Sequence, residues 1–109
     1  MGFDLYATLD KEFDDEPSFC SGALASHMFE LNQKLLEAGC HLFKDHTYPE
    51  EGHEPNFLEP EQVLTEYGKA FSFIKNNDQY KDLEQEFIYL KEAIDFAAYN
   101  KSKISFEIA

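Results

Sequence analysis

Cys40, His41, His46 and His53, with Glu50, Glu51 and Glu54 among them, offer the thiol, imidazole and carboxylate groups that zinc accepts. Their spacing matches neither a paired C-x-x-C knuckle nor H-E-x-x-H on one helix face. They stand as candidate metal ligands on a loop, beside the simpler expectation of a polar loop with incidental histidines. Asp10, Glu12 and Asp14 imitate the opening of a calcium loop, but its sixth position, which needs glycine, holds Asp15, and its twelfth, which needs a carboxylate, holds Ser21. A thiol–imidazole nucleophile could be drawn from Cys20 or Cys40 with His27 or His41. Cys40 and His41 are sequence neighbours, though, whose side chains would point apart in a strand, and a small buried thiol is the expected state. Carboxylates are too numerous to single out an acid–base pair, and no glycine-rich phosphate loop is present. The expectation is a non-enzymatic chain with no catalytic residues and no cofactor.

The charge points to a binding role. Nine lysines, no arginine and 22 carboxylates give a formal net charge of -13 over 109 residues. Such a field repels nucleic acid and anionic membranes and attracts basic surfaces. Arginine is the side chain that grips phosphate and guanine bidentately, and the lysines are scattered among acids with only Lys101 and Lys103 close together. A nucleic-acid reader needs a basic stripe, and none is visible. Codon usage favouring Lys, Asn, Ile, Phe and Tyr is an alternative account of the missing arginine, but it does not explain the surplus of acids. Eleven Phe and six Tyr separate the chain from disordered acidic sequences. One domain is expected at this length, stabilised by salt that screens its self-repulsion.

The elements that must position these groups follow from periodicity. Phe3, Leu5, Ala7 and Leu9 alternate with polar residues and read as a strand. The acidic stretch Asp10 to Glu16 follows and Pro17 closes it. A helix starts near Ser18 or Ser21, either able to cap, carries Leu24, Met28, Leu31 and Leu35 on one stripe, and ends at Gly39. Cys40 to Phe43 is a short apolar run with the look of a strand. From Lys44 to Glu59 there is no period, only turn residues, with Phe57 and Leu58 placed to pin the loop's end. Pro60 opens a second helix whose buried face is Val63, Tyr67, Ala70, Phe71 and Ile74, with Gly68 as a possible close crossing point. Asn76 to Asp78 break the chain, Asp78 capping a third helix over 79–99. Its main stripe is Leu83, Phe87, Leu90, Ile94 and Ala97, and a second ridge runs through Tyr89, Ala93 and Phe96. With Ile88 and Tyr99 on yet another side, it reads as a central helix. Ile104, Phe106 and Ile108 form a terminal strand that pairs with the first. The fold class is therefore α+β, about three helices packed on a small sheet formed by the N- and C-terminal strands, in the order β-α-(β)-α-α-β.

No basic leader precedes an apolar run, no run approaches a membrane span, and Met1-Gly2 lacks the Ser or Thr of an acylation signal, Tyr6 standing there instead. Cys20 and Cys40 fall near opposite ends of the first helix, too far apart to bridge. Two free thiols suit a cytoplasmic location. Carboxylates mark the outer faces of the helices: Glu30 and Glu37, Glu61 and Glu66, Asp82, Glu86, Glu92 and Asp95. Spaced on a rigid scaffold, they can imitate the charge row of a nucleic-acid backbone and fill a basic cleft.

The reading that follows is a small acidic inhibitor, of the immunity, antitoxin or phage anti-defence type. It occludes a basic, nucleic-acid-handling protein through Asp10, Glu12, Asp14, Asp15, Glu16, Asp82, Glu86, Glu92 and Asp95, with Tyr89 or Phe96 as aromatic anchors. Two alternatives stand beside it. One is a structural or assembly protein that forms a homodimer or complex through the third helix. The other is a metal-binding protein using the histidine loop.

Overall fold

The computed structural model describes residues 3–47, 52 and 54–109. Strand β1 (Leu5–Leu9) is the middle of a three-stranded antiparallel sheet, flanked by β2 (Cys20–Ser21) and by the terminal strand β3 (Ile104–Ile108). Leu5 faces Ile108 and Leu9 faces Ile104, so the two chain ends close the sheet. Three helices accompany it: α1 (Gly22–Glu37), α2 (Pro60–Lys75) and α3 (Glu84–Tyr99), the last preceded by a 3₁₀ turn over Asp78–Leu83. The expected α+β arrangement is observed, with α1 and α3 contacting β1 and α2 packed along α3.

Each helix begins and ends where local chemistry dictates. Ser21 caps α1, its hydroxyl accepting from Leu24 N–H at 3.1 Å. At the other end Gly39 takes φ +83, while Cys40 N–H reaches Leu35 O and Gly39 N–H reaches Leu36 O. That is the paired bonding of a left-handed helix stop. α3 ends the same way without glycine: Lys101 adopts φ 54, and Ser102 N–H returns to Ala97 O at 2.8 Å. Pro60 stands at the start of α2.

Several sequence expectations change. Cys40 to Phe43 is not a strand: Lys44 N–H bonds His41 O and His46 N–H bonds Phe43 O, turning the chain on itself. This turn drives Leu42 and Phe43 into the core, where Phe43 meets Phe87 at 6.2 Å and Phe106 at 5.2 Å. The third strand is instead the two-residue β2. The third helix does not run unbroken from Gln79. Asn77, not Asp78, caps the 3₁₀ turn that precedes it, by accepting from Gln79 N–H. Gly68 is exposed with open space where a side chain would go, so no helix crosses there. α3 is buried on one side only: Phe87, Leu90, Ala93, Ile94 and Ala97 face inward, while Ile88, Tyr89 and Tyr99 face solvent.

The long connection after α1 is tied to the sheet at both ends. Thr47 bridges β3 at Glu107, and Leu58 exchanges both backbone hydrogen bonds with Ile104. Leu58 is half-buried and Phe57 exposed, so Leu58 alone pins that end.

Candidate functional site: an acidic surface over the third helix

The acidic segment 10–16 is held by its one aromatic residue. Phe13 sets its ring edge-on against Phe96 of α3, centroids 5.2 Å apart. On one side of Phe13, Asp10 Oδ1 accepts from Ser102 Oγ at 2.8 Å and Lys103 N–H at 2.9 Å. Lys11 Nζ donates to Lys101 O. Farther on, Ser21 Oγ donates to Glu86 Oε1 at 2.6 Å. Residues 10–21 are thus fastened to α3 at Phe96 and at Glu86, and Glu12, Asp14, Asp15 and Glu16 stand exposed between the fastenings.

The nominated residues separate into two groups. Asp10, Glu86 and Phe96 have internal partners. The hydrogen bond from Ser102 above all, helped by the Lys103 N–H and the neighbouring lysines, outweighs desolvation and holds the Asp10 carboxyl below its usual range. Phe96 packs on the core edge and is not a free anchor. In the second group, Glu12, Asp14, Asp15, Glu16, Asp82 and Glu92 are exposed and form no side-chain hydrogen bond or ion pair among the described residues. Tyr89 is half-exposed at 51%. Asp95 is exposed and paired with Lys91 at 3.3 Å, and Lys91 also lies over the Tyr67 ring.

Helical spacing places Ile88, Glu92, Asp95 and Tyr99 in one row on the solvent side of α3, with Tyr89 beside it. Tyr99 is 87% exposed. The row spans roughly 16 Å at 1.5 Å per residue. The acidic segment lies on one flank and α2 on the other. Aromatic and carboxylate side chains are therefore interleaved on a stiff element.

The proposed metal ligands are dispersed among other tasks. Cys40 is buried and donates from Sγ to Glu66 O, and burial pushes its thiol pKa up. His46 Nδ1 lies 2.7 Å from Phe43 O. His41 turns to Glu66, its backbone N–H and Nδ1 both bonding Oε1, at 2.8 and 3.1 Å. The carboxylate can only accept, so His41 carries a proton on Nδ1. Glu50, Glu51 and His53 lie outside the described residues. Among the described residues no three metal-ligating side chains converge. Cys20 and Cys40 are both free thiols, as expected.

Glu66 is the residue that periodicity placed wrongly. It was expected on the outer face of α2, yet it is 6% exposed. Oε2 meets Lys69 Nζ at 2.9 Å while Oε1 holds His41. Burial raises its pKa, but the hydrogen bonds from Lys69 and His41 outweigh that and leave it below the ordinary glutamate value. The His41 and Glu66 side chains open onto a cavity of about 430 Å³ lined also by Lys44, Asp45, Glu61 and Thr65. A signal was available in sequence: Glu66 and Lys69 are three residues apart on one helix face.

Among the described residues no helix is long and apolar enough to cross a membrane. Compared with known proteins, the chain matches no family model, no curated sequence and no solved structure.

Proposed function

We propose that this chain is a small acidic binding protein that occludes a basic, nucleic-acid-handling partner, in the manner of an immunity protein, antitoxin or anti-defence protein. The reading rests on one observation above others. The Phe13–Phe96 contact holds the segment that carries the unpaired carboxylates of Glu12, Asp14, Asp15 and Glu16 against α3, which supports reading these acids and those of α3 as one surface. Carboxylates held in place lose little entropy on meeting lysine or arginine, and their summed field accelerates encounter. Occlusion then needs no catalytic residue and no cofactor.

The test is inhibition. The purified protein is titrated against a panel of basic nucleases and nucleic-acid-binding proteins in low and moderate salt. At least one should be bound with an affinity that falls as salt rises, and should lose nucleic acid in step. A variant carrying Glu12→Lys, Asp14→Lys, Asp15→Lys and Glu16→Lys should lose that effect. A charge-reversed variant as potent as the parent sinks the reading.

The exposed Ile88, Tyr89 and Tyr99 favour a second reading, assembly through α3 into a homodimer or complex. Two copies of net charge -13 repel each other, which sets this reading behind the first. Sedimentation across a concentration series separates them.

A further inference from the structure

The outer face of α3 has a chemistry more specific than negative charge. Ile88, Tyr89 and Tyr99 expose apolar or aromatic surface, Glu92 stands between them without a partner among the described residues, and Asp95 is shared with Lys91. Glu12, Asp14, Asp15 and Glu16 stand on the flank that Phe13 anchors. Of the cations nearby, Lys91 pairs with Asp95 and Lys11 donates to the carbonyl oxygen of Lys101, while the Lys101 side chain is exposed with no ion pair among the described residues. The face thus spans about three helical turns, with apolar or aromatic side chains at its two ends, Ile88 and Tyr89 at one and Tyr99 at the other, and the carboxylates of Glu92 and Asp95 between them.

Resting on the reading of the chain as a binder of basic proteins, we propose that the Ile88–Tyr99 face of α3 seats an amphipathic cationic helix of that partner. Charge complementarity selects the occupant. Lysine or arginine side chains of such a helix reach Glu92 and the 10–16 carboxylates, while its apolar stripe covers Ile88 and Tyr89. Tyr89 and Tyr99 present ring faces on which a guanidinium or ammonium group can rest. A second copy of this chain would bring its own carboxylates to the same border and meet repulsion there. Tyr89 and Tyr99 are the anchors, because a large rigid ring concentrates binding energy at low entropic cost.

The probe is a fluorescent synthetic peptide, lysines along one helical face and leucines along the other, read by anisotropy against the intact protein. Its control is a peptide of identical composition whose scrambled order destroys the apolar face. The amphipathic peptide should bind saturably and more tightly than the control. Tyr89→Ala with Tyr99→Ala should weaken it roughly tenfold or more, and backbone amide shifts should concentrate in 88–99 and 10–16. Both tyrosines are exposed, and an unchanged melting curve confirms that the variant folds. Equal binding of the two peptides, or an unaltered affinity in the double variant, overturns the assignment. So does concentration-dependent dimerisation that the double variant abolishes. If the peptide fails while salt-sensitive inhibition of a basic nuclease persists, this face is refuted and the inhibitor reading survives. If both fail, both fall.

Discussion

Replacing Glu66 with glutamine tests whether the buried carboxylate secures the turn that follows α1. The substitution preserves shape and removes one charge. Three bonds converge on the carboxylate: His41 N–H at 2.8 Å, His41 Nδ1–H at 3.1 Å and Lys69 Nζ at 2.9 Å. Hydrogen bonds to a charged group contribute about 1.5–3 kcal/mol each. A glutamine oxygen retains the two histidine bonds in neutral form, and Lys69 is half-exposed and reaches water when released. The net loss should therefore lie near the bottom of that range, about 2 kcal/mol. For a chain of this length that lowers the melting temperature by about 8 °C. The folded pKa of Glu66 lies below its unfolded value, so the stabilisation is present above the unfolded glutamate pKa and disappears as pH falls through the folded one. The gap between parent and variant melting temperatures, measured by circular dichroism, should be full at pH 7 and close in acid. The gap is the proper reading, because protonation of the many surface acids also relieves self-repulsion in both proteins. A glutamine variant that melts with the parent at pH 7, or a gap that persists unchanged in acid, refutes the reasoning.

Other expectations are simpler. Gly68→Ala should stabilise by about 1 kcal/mol, since the position is exposed, helical and open around a new methyl group. A lower melting temperature would refute it. Lys101→Gly should stabilise by about 0.5–1 kcal/mol by relieving a left-handed conformation at the end of α3, measured by denaturant midpoint. Ser21→Ala removes both the α1 cap and the tie to Glu86, so urea unfolding should report a loss of about 1–2 kcal/mol. An alkaline absorbance titration should show a late step from Tyr67, with Tyr6 and Tyr80 also raised above the ordinary phenol value, by Cys20 and by burial respectively. Burial and the nearby Asp95 push Tyr67 up to about 12, and Tyr67→Phe should remove that step alone.

Strong periodicity made most of the fold legible. The alternation in Leu5–Leu9 and Ile104–Ile108 and the stripes of α1 and α2 identify their elements, because burial of one face imposes a period of 2 or 3.6. Where packing is set by a few distant contacts, no period survives. Cys20 and Ser21 pair with β1 over two residues only, too short a stretch to alternate. Leu42 and Phe43 look like strand residues because they are buried, yet a turn buries them. The role of Phe13 was legible in principle, being the one aromatic among the acids of 10–16, since burial is the ordinary reason to keep such a ring. The role of Asp10 was not, because it depends on a chain segment remote in sequence; for Glu66 the pairing with Lys69 was legible and the bonds from the remote His41 were not.

The distribution of the charge argues more than its total. Lys34, Lys69, Lys81 and Lys91 each pair with a carboxylate three or four residues away, and Lys103 pairs with Glu59. Most cations are therefore neutralised where they stand, and pairs of this kind, mostly exposed, add little stability. The uncancelled charge is left to acids that have no such neighbour, and Glu12, Asp14, Asp15 and Glu16 are its densest run among the described residues. A surface shaped only for solubility would gain nothing from anchoring that run to a helix. Phe13 and Asp10 do anchor it, against Phe96 and Ser102, which concentrates like charges that a mobile segment would spread apart. Holding them together costs self-repulsion in the free protein. On the proposed function that cost is recovered when cationic side chains arrive, and the segment beside α3 is where we propose that a basic partner would gain most.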